Sequence, residues 1–193
     1  MPIWSWFFIA AAVLIAFTLL LIGVLRVTRG MRTERLREQF GPEYDRAIDE
    51  AGDQQAGEDE LVVRERQRHK LEIVALSAEA HSKYAEEWRR LQTAFVDDPA
   101  TAVGAADQLV TDVMRERGYP VNDFDRQAAD ISVDHPNVVE HYRAAHVLYS
   151  AQDKGDIGTE AQREAFVHYR ALFDKLLETD VPADTGAPKE ARA

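Results

Sequence analysis

The feature that most constrains this chain is an apolar run from Ile3 to Leu25, which is followed at once by arginines. As a helix, this run rises about 1.5 Å per residue and spans roughly 34 Å, slightly more than the ~30 Å hydrocarbon layer of a bilayer. No charged residue interrupts the run, and Trp4 and Trp6 stand near one end, as is typical of side chains at the membrane–water interface. The run predicts a transmembrane anchor over residues 1–25 whose partner, through residues 3–25, is the lipid bilayer.

A cleaved signal peptide is the alternative to a retained anchor. Such a peptide has a basic start, a shorter apolar stretch and small residues at the cleavage site. Here the small residues Ala10 to Ala12 lie in the middle of the run, so we predict that the anchor is retained. The basic residues stand on one side of the run, at Arg26, Arg29, Arg32, Arg35 and Arg37. This arginine collar predicts topology and lipid contact, with the N-terminus outside and the body in the cytoplasm, although the opposite topology stays open.

The composition excludes several classes of function. The formal net charge is −11 although the collar is basic, so the body is strongly acidic and is repelled by phosphate backbones. We therefore expect no nucleic-acid partner. The chain has no cysteine, which rules out disulfides, thiolate metal sites and cysteine nucleophiles.

The rest of the chain divides into three predicted parts. Residues 26–60 form a basic juxtamembrane segment, a short helix through Ala51 and a linker. Gly52 to Glu60 contains no large apolar residue, so this stretch is either a flexible linker or a loosely held helix start. Residues 61–179 form a helical bundle domain. Residues 180–193 form a disordered tail, because they contain Pro182, Gly186 and Pro188 and nothing to bury.

Local signals within the bundle domain predict its helices. Ser77 is a good N-cap, and Asp97-Asp98-Pro99 ends one helix and begins another with an Asp cap. Gly118 ends that second helix, and Asn122 caps a short one. Apolar residues recur with helical spacing, first along the stripe Tyr84, Trp88, Leu91 and Phe95. Alternating β-branched runs are absent from the sequence. The predicted fold is all-α: a transmembrane helix followed by a bundle of four main helices plus short ones.

Few residue groups suggest chemistry. His141 and His146 are five residues apart, which puts them about 140° apart on a helix, too far round to hold one ion. Glu164 and His168 are four apart and share a face, so they are the weak candidates for a metal site. The segment with Arg115, Arg117 and Tyr119 suits a small anion site, but neutralisation of the helix C-terminus explains it better. We predict no catalytic residue, no cofactor-binding residue and no cofactor, because the sequence contains no nucleotide-binding or nucleophile motif.

Four strings of the chain resemble a recurring group of uncharacterised bacterial proteins. They are Phe40 to Arg46, Phe95 to Pro99, Val113 to Pro120 and Ser132 to Pro136. The group has one apolar N-terminal segment followed by a helical body, and some of its members are labelled secreted. The resemblance implies a single-pass helical protein of the bacterial inner (plasma) membrane, and it implies no activity.

Together these observations predict a membrane-anchored, non-enzymatic helical interaction or scaffold module with an unidentified protein partner. The first alternative is a membrane-bound metal-dependent hydrolase that uses Glu164 and His168. The second is an anionic-lipid surface sensor that works through the arginine collar.

Overall fold

The computed structural model describes residues 4–152, 155 and 157–178, without side chains for much of the stretch before residue 28. Each regular element in these ranges is an α-helix, which confirms the predicted all-α class. In chain order the helices are α1 (Trp4–Phe40), α2 (Pro42–Ala51), α3 (Gln54–Arg68), α4 (Ala78–Asp97), α5 (Pro99–Arg117), α6 (Phe124–Asp134), α7 (Val139–Gln152) and α8 (Gly158–Glu178).

Two predicted segments fall largely outside this description. Within the residues that the structure describes, no helix is long and apolar enough to cross a membrane. The predicted anchor, residues 1–25, consists mostly of residues whose side chains are not described, so it stays a prediction. The tail predicted for residues 180–193 lies outside the described residues altogether.

The chain divides into two compact units, Met1–Leu61 (unit 1) and Val62–Ala193 (unit 2), and the division falls inside α3. For Gly52 to Glu60, the interpretation as a flexible linker is wrong from Gln54 onward, where α3 begins, and the alternative of a helix start is right. The composition is misleading because the part of α3 before Leu61 has no large apolar residue and still buries Gly57 and Glu58. A Cβ added to Gly57 would lie 2.8 Å from the Ile48 Cα atom, so a glycine allows α2 and α3 to touch here.

Unit 1 is built on α1, which continues as one helix beyond the apolar run. It ends at Phe40, after which Gly41 turns the chain with a φ of 50° and Pro42 occupies the first turn of α2. Leu36 and Phe40 of α1 are buried, as are Tyr44 and Ala47 of α2. The arginine collar is thus continuous with a helix end that packs in a folded unit.

Helix ends in unit 2 follow the local sequence signals. The Ser77 hydroxyl accepts the Ala80 N–H and the Asp98 carboxylate accepts the Thr101 N–H, so both predicted N-caps are confirmed. Gly118 ends α5 in the left-handed conformation, also as predicted. The predicted Asn122 cap is wrong by one residue, since the Asp123 side chain caps α6. Two adjacent residues offer a capping oxygen there, and the local sequence does not select between them.

The core of unit 2 lies among α4, α5, α7 and α8, with α6 beside α7. α5 packs against both α4 and α8, and α8 packs against α7. The Trp88 ring of α4 is stacked between two rings of α8, with centroid distances of 5.0 Å to Phe166 and 4.6 Å to Phe173. The predicted stripe on α4 is therefore a core face: Tyr84 and Trp88 are buried, and Leu91 and Phe95 are partly buried against them.

Candidate functional site

The weak metal candidates of the sequence, Glu164 and His168, form part of a three-residue cluster on α7 and α8. The Glu164 Oε1 atom lies 3.7 Å from His168 Nε2. On the other edge of the same ring, His168 Nδ1 lies 2.8 Å from His141 Nδ1. His141 was paired in the sequence only with His146, because the contact between α7 and α8 depends on how the helices pack and has no local signal.

This arrangement places Glu164 and His141 on opposite edges of the His168 ring. A single ion cannot contact both edges, so these three side chains do not converge on one point. A hydrogen bond between the two Nδ1 atoms needs one nitrogen to donate and the other to accept. If the Glu164 carboxylate attracts an Nε2–H on His168, His168 Nδ1 is the acceptor and His141 Nδ1–H the donor. In the ranges that the structure describes, no group of three or more His, Asp or Glu side chains is placed to hold a metal ion.

A second polar cluster lies deeper in the bundle, between α5, α7 and α8. The Tyr169 hydroxyl donates to Asp107 Oδ1 at 2.8 Å. Burial raises the pKa of Asp107 above its usual value, although the Tyr169 hydrogen bond and His146 act in the opposite direction. The His146 ring stacks on Phe124 with centroids 3.6 Å apart, and its buried Nδ1 atom has no hydrogen-bond partner. No local pattern predicts this cluster, since Asp107 occupies an ordinary polar position on an amphipathic helix.

The Arg117 segment does not form the anion site that the sequence suggested. Arg117 Nη1 donates to the Leu176 carbonyl at 2.6 Å, so this guanidinium caps the last turn of α8 rather than its own helix. The Tyr119 hydroxyl donates to Asp134 Oδ2 at 2.6 Å, and Arg68 pairs with the same carboxylate. Arg115 pairs with Asp112. The prediction that this segment neutralises a helix C-terminus is right in kind, but Arg117 contacts the C-terminus of α8 and not that of its own helix, α5.

Some arginines of the collar have partners within the protein, and others are exposed. Arg32 Nη2 pairs with Asp59 Oδ1 at 2.6 Å, and the Arg37 guanidinium lies 5.0 Å from the centre of the Tyr44 ring. Arg35 also interacts within the protein. Arg26 and Arg29 are exposed, and the described part of the chain offers neither of them a partner.

The three helices of unit 1 are connected by hydrogen bonds to one buried carboxylate, that of Glu58 in α3. Its Oε1 atom accepts from the Thr33 hydroxyl at 2.7 Å, the Tyr44 hydroxyl at 2.9 Å and Gln54 Nε2 at 2.9 Å. Burial alone would raise the pKa of Glu58, but the bonds from Gln54, Thr33 and Tyr44 outweigh it and lower the pKa. Glu58 is therefore an ionised junction of α1, α2 and α3. It was predicted as linker because its partners are distant in sequence.

A polar cavity of about 470 Å³ lies beside this junction. Its walls carry two guanidinium and two carboxylate side chains together with hydroxyl and amide groups, chiefly those of Arg29, Arg32, Thr33, Asp53, Gln54 and Glu58. The cavity is thus lined by both signs of charge and lies entirely within unit 1.

A second, more apolar groove of about 330 Å³ lies between α4 and α5 in unit 2. Leu91, Ala105 and Leu109 form its floor, while Glu87 and Asp112 stand among the charged residues of its rim. A groove between two helices with an apolar floor and a charged rim has the shape that accepts an amphipathic helix.

Comparisons of the chain with protein-family models, with curated proteins and with solved structures found no match.

Proposed function

We propose that this chain is a single-pass, membrane-anchored helical module that binds another protein at the surface of a bacterial inner membrane. The observation that carries the proposal is the apolar run Ile3 to Leu25, which is followed by the arginine collar on the same continuous helix. That helix ends in buried residues of a folded unit, so an anchored α1 would hold the body at the membrane. Confinement to a surface raises the effective concentration of the body toward other membrane proteins.

Alkaline carbonate extraction of membranes tests the anchor. We expect the full-length chain to remain in the membrane pellet, because no charge interrupts its apolar run. The double variant Leu14→Asp/Leu20→Asp is the matched control, since each central Asp costs about 2.5–3.5 kcal/mol on insertion scales. Full-length wild-type chain in the supernatant would overturn the proposal. A reporter fused after Thr179 gives the orientation, with a cytoplasmic signal expected from the positive-inside rule.

The groove between α4 and α5 supports a protein partner, and its chemistry favours an amphipathic helix. The apolar floor would take the partner's apolar face, and Glu87 and Asp112 would face basic residues at its edges. We expect Ala105→Arg, which fills the groove, to abolish one specific crosslink in intact membranes. Val96→Arg is the control, because Val96 is 81% exposed and is not part of the groove. A crosslink that survives Ala105→Arg, or is lost equally in both variants, would count against this surface.

A metal-dependent hydrolase is the second candidate. It is favoured by the approach of the half-buried His141 and His168 rings beside the exposed Glu164 carboxylate, and a metal would require these side chains to move, because they do not converge on one point. Elemental analysis of the purified full-length chain tests it. A stoichiometric transition metal that is lost in His168→Ala and kept in His69→Ala would favour the enzyme over the interaction module.

An anionic-lipid sensor is the third candidate, and the exposed Arg26 and Arg29 favour it. Attraction of about 1 kcal/mol per arginine near an anionic leaflet is screened by salt. Binding of the collar and body to anionic vesicles that does not change with ionic strength would dismiss this candidate.

A further inference from the structure

The polar cavity of unit 1 lies close to the end of the apolar run, and its position matters if the anchor is in the bilayer as proposed above. Arg29 follows Leu25 by four residues, which places it about 6 Å further along α1. The headgroup layer of a bilayer extends roughly 5–7 Å beyond the hydrocarbon. The Arg29 side of the cavity therefore lies at the depth of lipid headgroups.

Most polar groups of the cavity wall are already satisfied. Glu58 Oε1 accepts three hydrogen bonds, and Arg32 is paired with Asp59 at 2.6 Å. The buried Arg32 Nε atom has no hydrogen-bond partner, and two further lining groups of opposite charge keep binding capacity. Arg29 has no partner in the described ranges, and Asp53 uses only Oδ2, which accepts the Ala56 N–H at 3.0 Å. The cavity thus offers one free cation and one half-used carboxylate.

We propose that this cavity binds the phosphoethanolamine headgroup of a zwitterionic phospholipid. Arg29 would bind the phosphate, since guanidinium–phosphate contacts are strong charge-assisted hydrogen bonds. The primary ammonium would donate to Asp53. Free phosphoethanolamine has the same chemistry, but the depth of Arg29 favours the lipid as the source. The inference rests on the proposed membrane anchor.

The same lining disfavours the other common headgroups. A purely anionic headgroup would meet Asp53 and Glu58 as well as the arginines, so one of its contacts would be repulsive. A choline headgroup has no N–H to donate, and the lining residues include no aromatic side chain to form a cage for it. Selectivity for ethanolamine over choline and glycerol headgroups is therefore the expected signature.

Native mass spectrometry of the full-length chain in detergent micelles tests the proposal, with dioleoyl phosphatidylethanolamine, phosphatidylcholine or phosphatidylglycerol added at equal concentrations. We expect one retained phosphatidylethanolamine and weaker binding of the other two lipids. Arg29→Gln should weaken phosphatidylethanolamine binding about tenfold, as for the loss of one charge-assisted hydrogen bond. Asp53→Asn should also weaken it, while keeping the oxygen that caps α3. Arg26→Gln is the matched control, because it removes one collar charge that does not line the cavity.

Three results would overturn the inference: equal retention of all three lipids, preference for phosphatidylglycerol, or equal losses in Arg26→Gln and Arg29→Gln. Stoichiometric binding of free phosphoethanolamine with no preference for the lipid would overturn the assignment to a headgroup. Carbonate extraction of the membranes from which the chain is purified separates the proposed function from this inference. A chain that leaves the membrane overturns the proposed function, whereas a chain that stays there without selective lipid retention overturns only this inference.

Discussion

At the scale of single residues, the buried histidine of unit 2 has the clearest energetic consequence. His135 is 6% exposed, and its Nε2 atom has no hydrogen-bond partner. Burial, helped by Arg117 and Lys175 and opposed by Asp134, lowers the pKa of His135 from its ordinary 6.5 to about 4. The folded protein therefore keeps a neutral imidazole at a pH where the unfolded chain already binds a proton.

This depressed pKa predicts a loss of stability in mild acid. Below about pH 6.5 the unfolded state takes up a proton that the folded state refuses, so the free energy of unfolding falls until the pH approaches 4. At 1.36 kcal/mol per pKa unit, His135 accounts for about 3 kcal/mol over the whole window. Urea denaturation of the full-length chain in detergent at several pH values measures the slope.

The pH dependence of the free energy of unfolding can be assigned to His135 only if it is absent from a variant that has no titratable side chain at position 135. We expect His135→Gln to flatten the dependence between pH 6.5 and 4, whatever its stability at neutral pH. His69→Gln, at an exposed position, should keep the wild-type slope. Parallel curves for all three proteins would refute the assignment.

Single residues also show what a sequence can reveal. Ser77, Asp98 and Gly118 were identified correctly because a cap depends on a few neighbouring backbone groups. Glu58, Asp107 and His141 were missed as members of clusters because their partners lie far away in sequence, such as Tyr169 for Asp107. A carboxylate on a polar helix face has the same local signature whether it is solvated or buried, so only the packing distinguishes the two.

At the scale of the elements, the segment between α3 and α4 is held against the end of α5. The Val74 N–H donates to the Arg117 carbonyl at 2.9 Å. Gly118 has a φ of +96°, and a Cβ built on it would lie 2.6 Å from the Glu72 carbonyl oxygen. The glycine is therefore required twice, for the left-handed turn and for the close approach of the two chain segments.

Gly118→Ala is expected to lower the free energy of unfolding by about 3 kcal/mol, because overpacking against a backbone oxygen adds to the strain of a positive φ. Gly158→Ala is the matched control, since Gly158 has a φ of +74° and nothing within 4 Å of its added Cβ. That variant should cost about 1 kcal/mol, from backbone strain alone. Equal costs in denaturant titrations would show that the Glu72 contact is unimportant.

The contact between α4 and α8 depends on the ring of Trp88. Trp88→Ala should cost about 3–5 kcal/mol, because it empties the space between Phe166 and Phe173. Trp88→Phe should cost less than about 2 kcal/mol, since it keeps a ring in the stack. The buried Nε1 atom of Trp88 has no hydrogen-bond partner to lose. Equal midpoint shifts for the two variants would contradict an aromatic role for this position.

Helices with an apolar face were predictable from the sequence, whereas helices that bury polar or small residues were not. The stripe from Tyr84 to Phe95 marked α4 correctly, because its apolar residues face the core. The first part of α3 has no such stripe, because before Leu61 this helix buries only Gly57 and Glu58, a small residue and a charged one. The segment was therefore read as a linker.

At the scale of the whole molecule, charge and apolar surface are separated along the chain. The apolar run and the arginines come first, and the acidic body that gives the net charge of −11 follows. An acidic body is repelled by an anionic leaflet, whereas the collar is attracted to it. Such a separation favours one orientation of an anchored chain and keeps the remaining surface in water, available to other proteins.

The unbroken course of α1 from Trp4 to Phe40 has a geometric consequence for that arrangement. A helix turns by about 100° per residue, so the angular position of Leu36 and Phe40 around the axis is set by the number of residues that separate them from Leu25. If α1 is anchored as proposed, adding or removing one residue near Arg29 would rotate Leu36 and Phe40 by about 100° around the α1 axis relative to the apolar run. The length of the collar would then determine which side of unit 1 faces a neighbouring membrane protein.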